Sequence, residues 1–152
     1  MAVALATGAG CGDSAPAAPP PGPSLLPADY AQTFTQVRDC RSSIEHLPYI
    51  LVKTPAALVE RYNNGPFPFE VGSLIVKEEF SDRGCTALTG YTLMRKEAPG
   101  YDARFGDWHW QRLDAAGKVV HDGKGDGALA VCANCHLVTA ACKVRDFTCT
   151  EP

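Results

Sequence analysis

Alternation of apolar and polar residues dominates the middle of the chain. "GSLIVKEEF" (72–80) and "CTALTGYTLMRKE" (85–97) are rich in β-branched and aromatic residues. Joined by the polar "SDRG", they predict a β-hairpin. "GDWHWQRLDAAGKVVHDG" (106–123) predicts a second hairpin that turns at "DAAGK", and "YILVK" (49–53) a strand ended by Pro55. Two flanking stretches read as helices instead. In "DYAQTFTQVRDCRSSI" (29–44) Phe34, Val37 and Cys40 recur every third residue behind Asp29 as a cap. "TPAALVERYNNG" (54–65) has Thr54 to cap it, Pro55 in the first turn and Gly65 to stop it. A helical tail follows the strands. The expected fold is α+β, a mainly antiparallel β-sheet with flanking helices.

The same alternation assigns faces. Trp108 and Trp110 share one, with His109 on the other. Lys77 falls on the face of Ile75, opposite Leu74 and Val76, and Arg95 and Lys96 point opposite ways.

Length and charge narrow the classes. A chain of 152 residues suits one domain. A formal charge of −3, with no run of Lys and Arg, argues against nucleic acid as a partner. The start, "MAVALATGAGC" (1–11), is small and apolar and stops at Cys11, like the end of a lipoprotein signal, although no Lys or Arg precedes it. Residues 12–29, with "SAPAAPPPGPSLLPAD" at 14–29, predict an extended disordered linker that buries nothing. The functional domain is then 30–152. These features predict an exported bacterial protein, periplasmic or otherwise extracytoplasmic, membrane-anchored through lipid on Cys11.

Seven cysteines are many for a cytosolic protein of this size. Near the end stands "AVCANCHLVTAACK" (130–143), and three readings compete for Cys132, Cys135 and His136. A thioredoxin-type pair lacks its early βαβ context. A zinc site would recruit Cys142 and Cys149, whose separation is not that of a zinc knuckle. Covalent haem attachment accounts for every residue: thioethers from Cys132 and Cys135, and His136 as the iron's axial ligand. That makes one haem c the expected cofactor. No Met follows His136 to serve as the second ligand of an ordinary small cytochrome c, and 12 prolines and 14 glycines exclude a four-helix bundle. Cys40, Cys85, Cys142 and Cys149 are left for two disulfides, which allow three connectivities. Cys142 and Cys149 would pin the tail either to each other or to the rest of the fold.

Taken together, "FEVGSLIVKEEF", "GYTLMRKEAPGYDARFGDWHWQRLD", and "CANCH" with "RDFTCT" behind it resemble the cytochrome P-460 family, which includes cytochrome c-prime-beta. The likeness covers 31–152. It implies a haem with a proximal His, here His136, and a distal face that is open or capped by nonligating side chains. In enzymatic members a strand lysine is cross-linked to the porphyrin and hydroxylamine is oxidised; Lys77 stands at that position. Implied partners are a small ligand such as hydroxylamine or nitric oxide, a redox partner cytochrome, and a second copy in a homodimer. Tyr49 stands where enzymatic members have a distal arginine, and Thr92 where they have a carboxylate, so Asp102, Asp107 or Glu97 would have to supply the acid. His46, His109 and His121 each stand as distal ligand or surface residue, and Arg95 or Lys96 as propionate partner or solvated charge. Non-catalytic gas binding and simple electron carriage are the alternatives to turnover.

Overall fold

A computed structural model describes residues 20–43, 46 and 48–149. The segment 1–11, with Cys11, and the first part of the 12–29 stretch lie outside the described residues. Six strands form one sheet: β1 (Phe34–Ser42), β2 (Tyr49–Pro55), β3 (Leu74–Phe80), β4 (Leu88–Lys96), β5 (Trp108–Asp114) and β6 (Val119–Gly123). Their order in space is their order in the chain, and every neighbouring pair is antiparallel. Both hairpins and the strand at 49–53 are found where alternation places them. The helices are short: α1 (Tyr30–Thr33), α2 (Val59–Asn64) after a 3₁₀ turn at Ala56–Leu58, α3 (Ala130–Val138) and α4 (Ala140–Lys143).

Two local expectations are corrected. The helix expected over 29–44 stops at Thr33, and the rest is β1. Residues an odd number apart in a strand face opposite ways. Phe34 packs into the core on one side of the sheet and Val37 into the core on the other. Register shifts between Gln36 and Arg38 and between Arg38 and Arg41 add to the irregularity, so an edge strand with apolar residues on both sides mimics helical spacing. Thr54 caps nothing. It is buried, and its hydroxyl donates to the Leu74 carbonyl at 3.0 Å, tying β2 to β3.

Within the stretch expected to be a linker that buries nothing, residues 22–26 are docked against the sheet. Leu25 and Leu26 pack with Tyr30 and Phe34 over Leu74, Val76, Leu93 and Leu113. The Gly22 amide donates to Asp122 at 2.8 Å and the Leu25 amide to Gln111 at 2.7 Å, while the Gln111 amide donates to the Pro23 carbonyl at 2.9 Å. Proline leaves backbone carbonyls without ladder partners, and Gln111, 1% exposed, needs an acceptor for its own amide. The arm and the side chain satisfy each other.

The opposite face carries the larger core, with Ile50, Val52, Ile75, Met94, Trp108 and Trp110 contributed by the sheet and Tyr62, Phe69, Phe105, Leu129 and Ala133 packed over them. Disulfides join Cys40 to Cys85 and Cys142 to Cys149, which settles the open connectivity. The tail is held to this face by a buried ion pair. Lys96 Nζ lies 2.7 and 2.8 Å from the two Asp146 carboxylate oxygens and donates to the Gly106 carbonyl at 2.6 Å. Asp146 also accepts from the Phe69 amide, and its carbonyl accepts from the Trp108 indole at 2.8 Å. Lys96 is therefore a structural cation. Arg95, on the other face, pairs with Glu97 at 2.6 Å.

Removing one member of such a pair leaves an uncompensated buried charge. Asp146→Asn is expected to lower stability by about 3–5 kcal/mol, and Lys96→Met combined with Asp146→Asn to recover part of it. Urea unfolding of the three proteins measures both effects; equal stability of Asp146→Asn and wild type would contradict the assignment.

Candidate functional site

Helix α3 lays the "CANCH" residues along the edge of the larger core. The 3₁₀ turn at Gly127–Leu129 starts it, and Leu129, Ala133 and His136 form its buried side at spacings of four and three. Gly125 lets the helix close on the core: a Cβ there would come within 2.5 Å of both Ala133 Cβ and the Phe105 ring. Cys132 and Cys135, one turn apart, lie at the border of this buried side and are half-buried. Both are free thiols, whereas Cys40, Cys85, Cys142 and Cys149 are paired. Cys142 and Cys149 are thus not metal ligands. Among the described residues no cluster of three or more metal-ligating side chains forms.

The His136 ring is fixed on several sides. Its Nδ1 lies 2.5 Å from the Phe147 carbonyl, which can only accept, so Nδ1 carries the proton and Nε2 the lone pair. The Trp110 ring stands edge-on at 5.1 Å and the His46 ring at 6.2 Å. Burial, and next the nearby Lys77 charge, push the His136 pKa down to about 3. A neutral imidazole with a directed lone pair is the form that ligates metal. Burial also raises the Cys132 thiol, which keeps its proton until something claims the sulfur.

Lys77 comes to the same place from the sheet. Alternation on β3 puts it beside Ile75, and it lines a cleft shared with Cys132, Cys135 and His136. The four residues singled out in the sequence therefore converge. The cleft has a narrow apolar inner end walled by Ile75, Met94, Trp110 and Leu129. Two wider outer arms, lined in part by Lys77, Cys135, Glu79 and Arg112, open to solvent. An apolar end that passes into polar walls is the mix of surfaces found in small-molecule sites.

The histidines separate. His46 lies in the cleft, with Nε2 2.8 Å from Lys77 Nζ and Nδ1 3.5 Å from Glu79. His109 is on the far face, between Asp122 at 2.7 Å and Glu97 at 3.3 Å. His121 lines a separate groove with Pro21 and Lys124. The acids separate as well. Asp102 accepts from the Gly125 amide, Asp107 from the Gly100 and Asp102 amides, and Glu97 pairs with Arg95, so none of the three supplies the cleft. The cleft's carboxylate is Glu79, 7% exposed, beside His46 and 4.0 Å from Arg112. It sits two residues from Lys77 on one strand face, so the alternation that located Lys77 also points to it. Thr92 pairs with Lys77 across the ladder and lines the cleft, whereas Tyr49, next to inward-facing Ile50, belongs to the other face. Strand β1 adds Arg38 and Arg41 to the cleft wall, and reading that segment as a helix hid both.

No family model matches the chain and no curated protein matches it. What identifies the site is its own chemistry. Two unpaired thiols one helical turn apart, followed by a neutral buried imidazole, fit the donors that haem c requires. The Trp110 indole N–H is buried at the cleft wall without a partner among the described residues, and the inner end of the cleft is apolar. No helix of the described residues is long and apolar enough to cross a membrane.

The His136 geometry has a pH consequence in the haem-free chain. The folded imidazole stays neutral down to about pH 3, whereas the unfolded one takes a proton below about 6.5. The stability His136 confers is present above 6.5 and is lost as pH falls toward 3, by about 1.4 kcal/mol per pH unit. Urea midpoints of wild type and His136→Gln across pH 4–7 should show the steeper loss in wild type; parallel profiles would refute a buried neutral imidazole.

Proposed function

We propose that this chain is an exported, mono-haem c-type cytochrome of the P-460 type. In this reading an open distal site handles small nitrogen species, by hydroxylamine oxidation or nitric oxide binding, coupled to electron transfer. The observation that carries it is the pair of free thiols Cys132 and Cys135, one turn apart, with the lone pair of His136 Nε2 beside them over an open cleft.

When bound, haem c supplies a redox-active iron with an exchangeable coordination position. The chain's residues do the rest. Cys132 and Cys135 would hold the porphyrin by two thioethers, and the Phe147 carbonyl keeps the His136 lone pair directed. Ile75, Met94, Trp110 and Leu129 exclude water from one side. Lys77, Thr92, Glu79 and His46 form the polar side. Hydroxylamine loses protons as it loses electrons, and His46 with Glu79 gives those protons an acceptor pair inside the cleft. Lys77, 2.8 Å from His46 Nε2, would be the sheet's amine beside the bound haem and would tune it. A redox partner cytochrome would take the electrons, and lipid on Cys11 would keep the domain at the membrane outside the cytoplasm.

One observation favours the electron-carrier alternative. The His46 ring lies 6.2 Å from that of His136, so His46 is the side chain available as a second protein ligand. A six-coordinate iron would close the site to substrate.

Peptide mass spectrometry of mature protein is expected to show one haem on the Cys132–Cys135 peptide, lost in Cys132→Ala combined with Cys135→Ala. Haem-loaded protein should reduce an added acceptor when given hydroxylamine, with Lys77→Ala or Glu79→Gln at least about tenfold slower. A low-spin ferrous spectrum that becomes high-spin in His46→Ala would establish the carrier instead, and mature protein without haem would end the proposal.

A further inference from the structure

Arg38 sits in the first outer arm of the cleft in a state that a folded protein rarely leaves uncorrected. It is 9% exposed, and Nη1 alone is satisfied, donating to the Val37 carbonyl at 2.6 Å and to Asn63 Oδ1 at 2.7 Å. Nε and Nη2 are buried and have no hydrogen-bond partner. These two nitrogens form one edge of the guanidinium, the side-on fork whose parallel N–H groups match the two oxygens of a carboxylate. Buried charged donors without acceptors are costly and mark a missing acceptor.

The electrostatics favour the same kind of guest. Among the described residues no carboxylate bonds to Arg38, and the Tyr62 ring lies 5.2 Å from its guanidinium. Arg145, also attached to Asn63, has a buried Nε without a partner, and the charges of Arg41 and Arg145 both work against that of Arg38. The described residues lining this arm include Arg38, Arg41, His46, Lys77 and His136 and no Asp or Glu. Among the described residues, then, the wall of this arm carries basic groups and no acid, and the Arg38 fork is bare.

We propose that Arg38 is a carboxylate-binding residue: Nε and Nη2 grip the two oxygens of one carboxylate entering the cleft beside Cys135 and His136. Two sources share that chemistry, a porphyrin propionate and a free small carboxylate. The first rests on the haem reading, and the anion site itself does not.

The test uses the full chain in two states. In the haem-free chain, sodium acetate is titrated at constant ionic strength against chloride, following the ¹⁵N-resolved Arg38 Nε–H resonance. A saturable shift by acetate and not by chloride is expected, with Arg38→Lys, which keeps the charge and loses the fork, binding acetate at least about tenfold more weakly by thermal shift. Absence of a saturable acetate response, or equal affinity in Arg38→Lys with its circular dichroism unchanged, overturns the proposal. In the haem-loaded chain, a propionate bending band in the resonance Raman spectrum that moves in Arg38→Lys, with acetate no longer bound, assigns the site to the porphyrin. An unmoved band with acetate still bound assigns it to a free carboxylate. If the chain never takes up haem, the haem reading falls while the acetate titration still decides the Arg38 site.

Discussion

The contact between Lys96 and Asp146 is what makes a site out of a sheet and a tail. A meander needs only neighbouring strands to form, and the six strands here are complete before residue 124. The carboxyl-terminal segment has no strand to pair with and only short helices. It is secured by a charge pair taken out of water, reinforced by the Phe69 amide and the Trp108 indole on the same residue. Such a pair contributes little net stability, because desolvation offsets its attraction, but it tolerates one geometry only. Asp146 adopts a positive φ of 51°, and the next residue, Phe147, presents its carbonyl to His136. The ion pair thus orients the imidazole two steps removed.

The two faces of the sheet are finished differently, and the difference creates the cleft. On one, the docked amino-terminal arm covers Leu74, Val76, Leu93 and Leu113. On the other, core packing is complete beneath α2 and the tail but gives way toward the Tyr49 end of β2 and the Phe80 end of β3. There the inward positions become Lys77 and Glu79 on β3, with Thr92 and Arg112 paired beside them. An apolar wall then passes into a polar one within a single sheet face. This arrangement suits a guest with an oily plane and charged edges, and it brings proton-accepting groups to one side of the His136 lone pair.

Much of this is legible along the chain. The strand-like runs over 72–97 and 106–123 make antiparallel hairpins, and pleating puts Lys77 with Ile75, because it leaves no freedom over which face a residue takes. The "CANCH" spacing places two thiols and an imidazole on consecutive turns wherever that helix docks. Harder to see was β1, whose apolar residues pack on both sides of an edge strand and so imitate a helix. The proline-rich arm was equally hidden, since its attachment runs through backbone groups and the buried Gln111.

The sequence by itself determined the two hairpins, the faces their residues take, and the close spacing of Cys132, Cys135 and His136, because these follow from local periodicity. Which histidine and which acid enter the cleft was decided only by tertiary structure. His46, His109 and His121 are indistinguishable as sequence, yet folding brings one to Lys77, ties one to Asp122 and leaves one in another groove. The same holds for the disulfide pairing, for Lys96 as a buried strut, and for the bare fork of Arg38. Each depends on segments distant along the chain meeting in space, and no local pattern encodes the meeting.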